Sequence, residues 1–147
     1  MSFADEYALL EAFLQANPGY ARLNDECIRL QNIVNQKDEA GNKATYDYEK
    51  WSCCEEEMDC LVINSLSTSS DLHCEHLRSG QILFERIKRE AMIVAGEAFK
   101  HWVEATDQLV VAKSNRQTCR SALVETWNEI KHLNSLDAAE KEQEVAE

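Results

Sequence analysis

The chain has 147 residues, one proline, four glycines and a formal net charge of −12 with 44% hydrophobic residues. That size and apolar content suffice for one domain with its own core, and so few turn residues exclude an all-β architecture. The acidity disfavours direct binding to nucleic acid or to an anionic membrane and favours a protein partner with a basic surface. No apolar run reaches the length of a membrane span, and residues 1–6 lack the basic and apolar regions of a secretory signal, so a cytoplasmic protein is expected. The six cysteines are then expected to stay reduced.

The charge is unevenly placed. Residues 1–77 carry 15 acids and 5 bases, 78–120 carry 5 acids and 8 bases, and 121–147 carry 7 acids and 2 bases. The basic middle is expected to lie against the acidic remainder of the same chain.

Hydrophobic periodicity predicts an all-α helical bundle with coiled-coil-like seams, built from four to five helices. Phe3, Tyr7, Leu10 and Leu14 form one stripe and place a first helix at about 3–16. Proline disfavours helical geometry in the residue before it, so Asn17 ends that helix. Asn17 is also a good N-cap for a second helix opening at Pro18. In this second helix, at about 18–39, Tyr20, Leu23, Cys27, Leu30 and Val34 alternate by three and four. A break is expected at Gly41, within the polar run 37–43. A third helix at about 44–66 follows, with Trp51, Cys54, Met58, Leu61 and Ser65 as its stripe and Glu55, Glu56, Glu57 and Asp59 as a solvated face. Residues 67–71 read as a linker.

A long helical pattern then occupies 71–133. Its seam reads Phe84, Ile87, Ala91, Val94 and Ala98, then steps by four to Trp102, a stutter. It resumes through Ala105, Leu109, Ala112, Arg116, Cys119, Leu123, Thr126, Ile130 and Leu133. Unbroken from 81 to 133, such a helix would span roughly 80 Å, too long for a compact domain. Either it bends near 113–116 or its second half needs a partner. Residues 1–136 read as a single domain, and 137–147 as an acidic tail expected to fray.

Three constellations could carry chemistry. Cys53, Cys54, Cys60, His73, Cys74 and His76 offer zinc-ligand chemistry at Cys53, Cys60, His73 and Cys74, but no Cys-x-x-Cys knuckle is present, and the cysteines fit better as small apolar residues. Glu129 and His132 form a single Glu-x-x-His, whereas a di-iron bundle needs two, and Glu97 with His101 does not supply the second. No phosphate loop or hydrolase motif is found. No cofactor, metal or catalytic residue is therefore expected.

The remaining candidates are interaction residues: Trp102, Leu109, Arg116, Arg120, Leu123, Trp127 and Ile130. Lys113, Arg116 and Arg120 make a basic stripe. Arg116 stands where an apolar residue is due, either fixing register or packing only its stem. The tryptophans suit interface anchors. The function expected is a non-enzymatic protein–protein interaction module (adaptor, assembly factor or inhibitor), self-associating as a homodimer through 102–133. The alternative is an acidic mimic of nucleic acid that inhibits a DNA- or RNA-binding protein.

Overall fold

The computed structural model describes residues 2–65 and 71–146, nearly all of them helical and none in a strand. Three helices follow one another: α1 (Phe3–Ala16), α2 (Pro18–Ser65) and α3 (Asp71–Ala146). Among the described residues the count is three rather than the four to five that the sequence predicts. Residues 67–70 of the expected linker, and the Ser65 side chain, lie outside the described residues.

Local chemistry explains the two helix starts nearest the N-terminus. Ser2 caps α1 in a reciprocal box: its hydroxyl accepts from the Asp5 N–H, while the Asp5 carboxylate accepts from the Ser2 backbone. Asn17, held extended by the proline that follows, closes α1 through its N–H to the Leu14 carbonyl at 3.1 Å. Its side-chain oxygen accepts from the Tyr20 N–H at 3.1 Å and so caps α2.

The expected break at Gly41 does not occur. The three-four alternation that begins at Tyr20 continues in one register through Val34, Lys37, Gly41, Ala44, Tyr48, Trp51, Glu55, Met58 and Val62, and each of these is buried or half-buried. Lys37, Gly41 and Glu55 hide the register because they are not apolar, yet the backbone hydrogen bonds do not depend on side-chain hydropathy. The same register corrects the stripe near its end. Val62, only 8% exposed, is the seam residue, and Leu61, 52% exposed, faces outward.

Gly41 sits inside this helix with nothing within 4 Å of the position a Cβ would take. Gly41→Ala is expected to raise stability by about 0.5–1 kcal/mol, because glycine loses the most backbone entropy in a helix. Thermal unfolding by circular dichroism checks this; a lowered midpoint would mean that the helix is not continuous there.

In α3 the expected stutter is also absent. Leu77, Gln81, Phe84, Lys88, Ala91, Ala95, Ala98, Trp102, Ala105, Leu109, Ala112 and Arg116 keep one register, all buried or half-buried. The sequence reading selects Val94 because valine is the larger apolar residue. The structure turns Val94 outward and uses Ala95. Alanines at the seam let two helices approach more closely than valine or leucine would. No bend interrupts 113–116. The tail expected to fray is helical as far as Ala146, with residues 128–146 all exposed.

The chain divides into two compact units, one of residues 1–31 with 108–147 and one of residues 32–107. In the first unit, α1 and the start of α2 follow one another along α3, both running opposite to it. Glu6 meets Lys131, Glu11 meets Arg120, Tyr20 meets Arg120 and Asn24 meets Arg116. Leu14, 0% exposed, is the most completely buried large side chain, and Tyr20, Cys27, Leu30, Leu109 and Ala112 are buried with it. Phe3 and Tyr7, the outer half of the expected α1 stripe, stay exposed. In the second unit, α2 and α3 again run antiparallel, shown by Trp51 against Phe84 and Asp59 against Gln81.

Candidate interaction surface

The residues that the sequence singles out are mostly engaged within the chain. In the first unit Leu109 is buried, and Leu123 and Trp127 are half-buried. The Trp127 ring lies 5.2 Å from that of Phe13, so α1 covers this end of the α3 seam. Ile130 remains exposed. Arg116, at its seam position, donates to the Asn24 side-chain oxygen at 3.1 Å. Arg120 donates to the Glu11 carboxylate at 2.8 Å and to the Tyr20 hydroxyl at 3.4 Å. Those two acceptors, Glu11 foremost, hold the Arg120 guanidinium above its ordinary pKa. Arg116 and Arg120 of the basic stripe thus meet acceptors on α2 and α1, of which Glu11 is the acidic one.

In the second unit the seam carries a polar layer that hydropathy does not reveal. Lys88 and Glu55 both occupy seam positions, and their ion pair measures 3.0 Å. The contact with the Glu55 carboxylate raises the lysine's pKa. A charged pair at a seam costs stability and penalises shifted registers, which would separate the partners.

Trp102, the seventh of the candidates, lies half-buried in the second unit with its ring stacked 6.0 Å from Phe99. The two rings border an open groove of about 230 Å³ between the helices, closed on the other side by Lys37, Gly41 and Thr45. Glycine at position 41 leaves this groove its depth.

Large apolar residues are also left exposed on α3 in the second unit. Ile82, Leu83, Met92, Ile93, Val94 and Phe99 are all more than half exposed. At about 100° per residue, Met92, Ile93, Gly96, Phe99 and Val103 share one side of α3, off the alanine seam. The unit therefore uses its small residues inside and leaves large apolar ones in water. Sequence reasoning misses this face because it assigns large apolar residues to the seam; the available signal is that α3 carries more apolar residues than one stripe can hold.

The metal-ligand candidates do not converge. Cys53, Cys60, His73 and His76 are exposed, and Cys54 and Cys74 are half-buried. Among the described residues no group of three or more histidines, cysteines or acids is placed to hold a metal ion. Glu97, His101, Glu129 and His132 are exposed. No helix among the described residues is long and apolar enough to cross a membrane. Comparison with known proteins gives no match to a family model, a curated protein or a solved structure.

Proposed function

We propose that the protein is a non-enzymatic interaction module that receives another protein helix on the outer face of α3 in the second unit. The observation that carries this reading is the row Met92, Ile93 and Phe99, large apolar side chains exposed together beside a seam built of alanine. Exposed apolar clusters of this kind mark contact sites, and a helical face most simply takes another helix. Adaptor, assembly factor and inhibitor are all roles such a face serves.

The test is a photo-crosslinking amino acid placed at Phe99, with a second variant labelled at the exposed Glu140 as control. Illumination in the native cell is expected to give a discrete protein adduct from position 99 and none from position 140. Absence of any adduct from position 99 defeats the reading. Adducts to nucleic-acid-binding proteins from the acidic control position would favour the mimicry alternative.

A further inference from the structure

We infer that the occupant of this face is a second copy of the chain, packed antiparallel with its twofold axis beside Gly96. This rests on the reading of the face as an interaction surface and names its partner.

Three observations point to the second copy. Gly96 lies at the middle of the face, flanked by Met92, Ile93, Phe99 and Val103, and nothing stands within 4 Å of the place a Cβ would occupy. Glycine there lets another helix come close. The second observation is charge. Residues 82–107 hold four bases and five acids, a net of −1, while the chain carries −12. Two copies therefore meet here with little like-charge repulsion, in contrast to residues 121–147 with their seven acids and two bases.

The third is complementarity in one register. In an antiparallel pair centred beside Gly96, residues equally far before and after it lie opposite one another, to within one residue or about 1.5 Å. Arg89 then faces Glu104 of the second copy, and Arg86 faces Asp107. Helical spacing puts all four on the same flank of the face, as a twofold pair requires. Met92 falls opposite Phe99 on the other flank. Within the chain Arg89 pairs with Glu85 at 2.9 Å and Arg86 with Glu90 at 3.9 Å. Both pairs are exposed and therefore weak, which leaves each guanidinium able to take a carboxylate of the second copy. A parallel pair would set each charge against its own copy.

Sedimentation of the purified chain tests the proposal, with helicity checked by circular dichroism. The wild type is expected to dimerise at micromolar concentrations. Arg89→Glu is expected to weaken the dimer by about tenfold or more, and Arg89→Glu with Glu104→Arg to restore it. Within one chain these positions lie about four helical turns apart, so rescue requires contact between copies. Gly96→Gln, which has room in the monomer, is expected to keep full helicity and lose the dimer. A monomeric wild type overturns the proposal, as does failure of the double charge reversal to restore association. If position 99 still crosslinks a different protein in the cell, the interaction reading survives while the second copy is excluded.

Discussion

Leu14→Ala is expected to cost about 2–5 kcal/mol, the range for truncating a fully buried leucine. Leu14 is 0% exposed, whereas the other large apolar residues of α1 are half-buried or exposed. It sits in the last turn of α1, where its carbonyl accepts the Asn17 N–H. The truncation therefore leaves a void beside the corner that joins α1 to α2. Loss of the leucine loosens α1 from α3 and exposes Trp127 to water. Urea denaturation followed by Trp127 fluorescence, with Trp51 and Trp102 replaced by phenylalanine, reports the first unit selectively. Phe3→Ala is the control, since Phe3 is 85% exposed and its loss should change little. A loss below about 1 kcal/mol for Leu14→Ala would mean that α1 does not pack as described.

Arg120→Ala is expected to cost about 1–2 kcal/mol, because charged hydrogen bonds are worth about 1.5–3 kcal/mol and partial exposure reduces this through solvent screening. The side chains of Arg120 and Glu11 are 28% and 30% exposed. Removing the guanidinium also leaves the Tyr20 hydroxyl without this donor. Lys131→Ala is the comparison: its contact to Glu6 is 3.9 Å long between half-exposed groups, and no measurable loss is expected. A double-mutant cycle on Glu11 and Arg120 separates their coupling from the packing of the arginine stem. Zero coupling would show that Arg120 acts only through its stem.

Much of the local structure is legible in the sequence. The first helix, the corner at Asn17 and Pro18 and the seam from Tyr20 to Val34 follow from proline geometry, capping chemistry and three-four spacing. The continuity through Gly41 is not legible, because a glycine in a polar run reads as a stop when its surroundings are unknown. The same limit applies to Val94 and Ala95: hydropathy ranks valine above alanine, while the distance between packed helices selects alanine. Of the candidate residues, Arg116 stands out by a charge on the seam and Arg120 as a member of the basic stripe. Their acceptors, Asn24, Tyr20 and Glu11, lie 92 to 109 residues away in sequence and carry no local sign of the pairing.

The helical class follows from the sequence alone, because apolar period and the scarcity of proline and glycine act through neighbours along the chain. For the long helix the sequence leaves a choice open, between a bend near 113–116 and a partner over 102–133. In the tertiary structure the helix stays unbroken, and the Phe13 ring of α1 packs against Trp127. Burial depends on which segments meet, and that is a property of the folded chain. In the second unit the pairing of α2 with the alanine side of α3 leaves other apolar residues outside, Met92, Ile93 and Phe99 among them.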